Sequence, residues 1–192
     1  VQFLVSSNAD INKADDFSWT PLYIASARGH LEVVQFLVSL NADVNKANNI
    51  GWNPLHIASI HGRLKVVKLL LANHAEVDKP SNDGNTALHK AARYGHLDVV
   101  MTLIEAKANF FLRNHDGHTP LDLAKTDEIK QYIINHPWYR RRKLIVMRPH
   151  DDHITNEMHR MTALGGIVTA KEKGEGEDAL LFYLRRLVAS FL

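Results

Sequence analysis

The 192 residues include no cysteine, which removes disulfide frameworks, thiolate metal sites, iron–sulfur clusters and cysteine nucleophiles together. A reducing compartment is favoured. Long apolar runs are missing too: Leu69-Leu70-Leu71-Ala72 and Leu144-Ile145-Val146-Met147 fall far short of the roughly 20 residues needed to span a bilayer. No membrane span is expected. Nor is there an excess of one charge: 23 Lys+Arg face 21 Asp+Glu, interleaved, for a formal net charge of +2. Such a surface does not grip a nucleic-acid backbone or an anionic membrane over a large area. The chain opens on Val1, with no charged and apolar leader, in the middle of an apolar pattern, which predicts further sequence upstream. What is present, 45% hydrophobic and 23% charged residues, describes a globular chain with material for a core.

A shift of 33 residues lays Val1-Gln2-Phe3-Leu4-Val5-Ser6-Ser7-Asn8-Ala9-Asp10 on Val34-Gln35-Phe36-Leu37-Val38-Ser39-Leu40-Asn41-Ala42-Asp43 with a single difference, Ser7 against Leu40. The same shift superposes Thr20-Pro21-Leu22-Tyr23-Ile24-Ala25, Asn53-Pro54-Leu55-His56-Ile57-Ala58, Thr86-Ala87-Leu88-His89-Lys90-Ala91 and Thr119-Pro120-Leu121-Asp122-Leu123-Ala124. It also aligns Gly29, Gly62 and Gly95, each followed by a leucine and a valine pair. Composition does not produce this register. In each copy the Thr or Asn can cap a helix, Pro21, Pro54 and Pro120 suit its first position, and the glycine ends it two turns later. A second helix follows from Leu31, Leu64 or Leu97, with apolar residues at helical spacing, and leads into a loop before Gly51, Gly84 or Gly117. A two-helix unit of this size cannot bury its own apolar face, so the copies must stack into a solenoid.

The 33-residue period together with the Thr-Pro-Leu-His-x-Ala motif resembles the ankyrin-repeat family. That resemblance implies an all-α solenoid of helix pairs with hairpin-like loops over residues 1–136. A truncated copy spans 1–17, full repeats span 18–50, 51–83 and 84–116, and a capping repeat spans 117–136. The departures are specific. Ser18 stands where the other copies have Gly51, Gly84 and Gly117, Asn53 replaces the capping Thr, and His74 and Lys107 take the family's glycine position after the second helix. A left-handed backbone there costs a residue with a β-carbon about 1 kcal/mol.

Past Pro137 the composition changes. Residues 137–192 hold 10 Lys+Arg against 7 Asp+Glu, whereas 1–136 hold 13 and 14. This extension reads as a basic turn, Arg140-Arg141-Arg142-Lys143, a glycine-containing connector over about 148–177, and an amphipathic C-terminal helix over 178–192. The basic cluster resembles a nuclear import signal, although a solvated turn accounts for it as well. His150-Asp151-Asp152-His153 has metal-ligand residue types without a second ligand cluster, so no metal is expected. No nucleophile, general base or phosphate-cradling loop can be named, and neither catalysis, a cofactor nor a small-molecule substrate is expected. Several of the histidines need no chemistry: His30 and His96 follow helix-ending glycines, and the resemblance gives His56 and His89 the family's role of bonding across loops between repeats.

The resemblance also directs attention to the loop tips and the exposed side of the first helix, which line the family's binding groove. Those positions are Phe17, Trp19, Ala27 and Arg28; Ile50, Trp52, Ile60 and His61; Asp83, Asn85, Arg93 and Tyr94; Asp116 and His118. Trp19 and Trp52 are homologous positions one repeat apart, so their indoles should lie side by side. Aromatics with flanking Arg28, His61 and Arg93 suggest an apolar, somewhat acidic partner protein or peptide. Leu37, Asp43, Val44 and Asn45 further match a pattern at which ankyrin-repeat asparagines are hydroxylated, although Asn45 can equally tie the loops together. The expected function is a non-catalytic protein-binding module in an intracellular compartment, cytoplasmic or nuclear. The alternatives are the targeting arm of a larger enzyme or signalling protein, and a nuclear factor acting through Arg140 to Lys143.

Overall fold

A computed structural model of the chain describes residues 10–139. The beginning of the truncated repeat, the basic cluster, the His150–His153 segment, the connector and the C-terminal helix all lie outside them. Among the described residues the helices follow in order: α1 Pro21–Arg28, α2 Leu31–Ser39, α3 Pro54–Ile60, α4 Leu64–Ala72, α5 Ala87–Tyr94, α6 Leu97–Glu105 and α7 Asp127–Asn135. There is no strand among the described residues. The first helices of the three pairs pack side by side, α1 on α3 and α3 on α5, while α2, α4, α6 and α7 form a second layer against them.

The caps follow from the residues that precede each first helix. Thr20 accepts the Tyr23 N–H at 3.1 Å, and the extended backbone at Thr20, Asn53 and Thr86 turns the chain into α1, α3 and α5. Gly29 and Gly95 close α1 and α5 with φ of 76° and 84°. Four residues with a β-carbon take the same left-handed conformation, namely Ser18, Asn41, His74 and Lys107. These are the positions where this chain departs from, or replaces, the repeat's glycine, so the backbone keeps its path and absorbs the strain.

Leu22, Leu55 and Leu88, one per repeat, are buried between the layers with Val34, Val67 and Val100. Interlocking loops tie one repeat to the next. Asn12 Oδ1 accepts the Asp43 N–H at 2.8 Å, Asn45 Oδ1 accepts the Glu76 N–H at 2.9 Å, and Asp78 Oδ1 accepts the Asn109 N–H at 2.9 Å. Asn45 also donates to the His74 carbonyl at 3.3 Å, which is the tying role open to it from sequence.

The last repeat is reduced: Thr119–Ala124 makes a single turn, in which Leu123 N–H reaches Thr119 O at 3.2 Å, before α7 closes the stack. Residues 137–139, grouped with the tail by composition, pack back on the repeats. The Tyr139 ring stacks on Phe111 at 5.3 Å and Phe110 meets His136 edge-on, so the compact unit runs through Tyr139.

Candidate partner-binding groove

One face of the unit is made by the first helices and the loops before them. Each loop is a turn stapled by one side chain. Asp15 Oδ1 accepts the N–H groups of Phe17 and Trp19 at 3.0 and 2.8 Å, and Asn48 Oδ1 does the same for Ile50 and Trp52 at 3.1 and 2.9 Å. Turning the polar groups inward in this way leaves the apolar side chains at the tips facing solvent. Phe17 is 65% exposed, Ile50 49% and Trp19 40%, and Tyr94, at the far end of α5, is exposed as well.

Below the tips lies an apolar cluster separate from the main core. Tyr23, Ile57 and Ile60 are buried together, with Ile24, Ala27 and Trp52 packed against them. Trp19 stacks on Tyr23 at 5.9 Å and meets Phe17 at 5.3 Å. The indoles of Trp19 and Trp52 therefore do not contact each other as expected. Tyr23, which stands where the next two repeats have histidine, draws Trp19 onto its own repeat, while Trp52 is partly buried and carries the Lys90 ammonium 4.8 Å from its ring centroid.

Lys90 is the feature that sequence reasoning missed. The aligned positions are Ile24, Ile57 and Leu123, and that substitution in an apolar column was the available signal. Although a lysine, it is buried, and its Nζ lies 3.0 Å from Asp83 Oδ2. Burial opposes ionisation of Asp83, but hydrogen bonds from Ser81, Asn85 and Lys90 outweigh it and hold the carboxyl below the usual carboxylate range.

Asn85 requires a correction. Placed on the groove surface by sequence, it is buried: its carbonyl accepts from His56 Nε2 and Ser81, and its Oδ1 accepts from Asn114 at 3.1 Å. Its polar groups are consumed by the framework, and it drops out of the candidate surface. His118 splits its role, since its backbone serves Asn114 and His89 while the residue stays exposed. Arg28, His61 and Arg93 are exposed at the far end of the first helices, and Ala27 and Ile60 lie in the apolar floor. Asp83 and Asp116 are exposed at the loop tips. An open depression of about 550 Å3, lined among others by Asp10, Asp15, Trp19, Ile24 and Arg28, adjoins the first repeat.

The two family histidines bond between repeats. His56 Nε2 reaches Asn85 O and His89 Nε2 reaches His118 O, each at 3.1 Å. Burial pushes the His56 imidazole down to about 4 and lowers His89 as well. Both are neutral structural donors.

Stacked two-helix repeats with one variable, side-chain-rich face define a solenoid binding scaffold. The sequence model of ankyrin repeats in three copies matches residues 1–81, and that of ankyrin repeats in many copies matches residues 70–124. The chain belongs to the ankyrin-repeat family, whose domains generally serve protein–protein interaction and are typically non-catalytic. Among curated proteins, none matches the chain. Among the described residues, no helix is long and apolar enough to cross a membrane.

Proposed function

We propose that the chain is a non-catalytic binding module that holds a partner protein or peptide in the groove made by α1, α3, α5 and the loops before them. The observation that carries this reading is the exposed apolar row Phe17, Trp19 and Ile50 over a floor, Tyr23, Ile57 and Ile60, that is separate from the core. A folded domain gains nothing from leaving such side chains in water, whereas bulky aromatic anchors are what interfaces use. The rigid loops supply the mechanism: Asp15 and Asn48 fix the tips in advance, so little ordering cost falls on association. Arg28, His61, Arg93, Tyr94 and His118 complete the surface, and an intracellular location fits a chain without cysteine.

The experiment is affinity capture from cell extract on the full chain beside a Phe17→Ser, Trp19→Ala variant with unchanged circular dichroism. Proteins retained by the wild type and lost by the variant are expected. If both retain the same proteins, the aromatic row is not the binding surface.

A further inference from the structure

Two rows of unlike chemistry cross the repeats at opposite ends of the first helices. The loop end carries Phe17, Trp19, Ile50 and Trp52. The other end carries Arg28, His61 and Arg93, at or beside the last residues of α1, α3 and α5, all exposed and none in an ion pair. Further basic groups reinforce this edge: Arg63 Nε donates to Ala27 O at 3.1 Å and His96 Nε2 to Ile60 O at 2.8 Å. The His61 imidazole registers it, since partial burial and then Arg63 and His96 lower its pKa.

Acids on that side sit in the first turns of the second-layer helices, Glu32 in α2, Asp98 in α6, and in α7 Glu128 and Asp127, the latter paired with Lys130. On the loop side Asp15 is engaged by its turn and Asp83 by Lys90, which leaves Asp16 and Asp116 exposed at the tips. The groove is thus apolar along one edge and cationic along the other.

The dimensions select a guest. An eight-residue helix is about 12 Å long, so the rows lie about one helix diameter apart. Packed helices are spaced about 8–10 Å, close to the roughly 11 Å rise of two helical turns. A helix laid across the stack would meet an arginine or the His61 imidazole about every seventh residue on one flank and the aromatic row on the other.

Resting on the groove reading above, we infer that the partner segment is an acidic amphipathic helix, with its apolar face on Phe17, Trp19 and Ile50 and its carboxylates on Arg28, His61 and Arg93. Unpaired cations beside an apolar row match such a helix and repel a basic one.

The test is selection from a displayed library of random peptides about five helical turns long. The full chain is used beside Phe17→Ser, Ile50→Ser and Arg28→Glu, Arg93→Glu double variants, all at solvent-exposed positions and checked by circular dichroism. The wild type should enrich peptides with apolar residues at helical spacing and Asp or Glu about seven apart on one flank. The arginine reversal should weaken the best peptide about tenfold at low salt and turn selection towards Lys or Arg on that flank. Peptides that depend on Phe17 and Ile50 but carry no acidic flank, or ignore the reversal, overturn this inference and leave the groove reading standing. No enrichment, or peptides that bind the Phe17→Ser, Ile50→Ser variant equally well, overturns both. Self-association that the same variant abolishes would give the groove to a second copy and overturn the acidic helix.

Discussion

Replacing Asn53 by Thr should stabilise the protein, and the reason is a conflict between acceptors. Asn53 is fully buried; its Oδ1 accepts the His56 N–H at 3.0 Å and also lies 2.7 Å from His56 Nδ1. His56 Nε2 faces the Asn85 carbonyl, which can only accept, so the neutral ring carries its proton on Nε2 and Nδ1 is an acceptor. Two lone pairs therefore meet, while Asn53 Nδ2 has no partner. Turning the amide over would give Nδ1, which already accepts the Asn53 N–H at 3.3 Å, a second donor, but would set an NH2 against the His56 N–H. Neither orientation satisfies every group.

The next repeat shows the resolution. The Thr86 hydroxyl donates to His89 Nδ1 at 2.9 Å, and the same ring nitrogen accepts the Thr86 N–H at 3.2 Å. Removing a buried orphan amide is worth about 1–3 kcal/mol and a new buried hydrogen bond about 1 kcal/mol, against a few tenths for Thr as the weaker cap. A net gain of about 2–4 kcal/mol is expected for Asn53→Thr. Urea unfolding followed by circular dichroism should show a higher midpoint with an unchanged slope. An unchanged or lowered midpoint would show that the Asn53 amide is already satisfied, and the reasoning would fail.

Three further outcomes can be checked in the same assay. The folded pKa of His56 is depressed to about 4 from 6.5, so below about pH 6.5 the unfolded chain takes up a proton that the folded one refuses. Stability should fall by about 3 kcal/mol between pH 6.5 and 4 from this group, with His89 adding in the same direction and Asp83 and Lys90 the nearest charges; a His56→Gln variant with an identical pH slope would contradict it. Ser26 and Ser59, buried with unpartnered hydroxyls, align with Ala92, so Ser26→Ala and Ser59→Ala should each raise stability by about 1 kcal/mol, and a loss in both would refute the orphan reading. Asp83→Asn, which strands a buried ammonium, should cost about 2–3 kcal/mol, whereas Lys90→Ile should be near neutral; equal costs would show that the pair does not stabilise Lys90.

Much of the fold was legible because it is written in local, repeated chemistry. Thr20, Pro21 and Gly29 mark one helix in a single turn-length pattern, and the 33-residue register then carries each assignment to the next repeat. Even the left-handed backbone at His74 and Lys107 was readable, since homologous positions must take the same path. The exposed tips Phe17, Trp19 and Ile50 were legible too, because the family resemblance marks those loop positions as groove.

What register does not carry is the identity of neighbours across repeats, and there the tertiary structure decided. Asn85 aligns with Trp19 and Trp52 but is buried, because its carbonyl completes the loop bonds of His56 and Ser81. Trp19 turned to Tyr23 rather than towards Trp52, since the stacking partner was within its own repeat. Lys90 found Asp83 through the chain's own loop and Trp52 from the preceding repeat, and only packing could bring those three together. The sequence alone determined the path of the backbone, because turns and caps are set by residues a few positions apart. Which side chains line the groove was decided by contacts between residues about 30 positions apart, where burial and hydrogen bonding compete and alignment is silent.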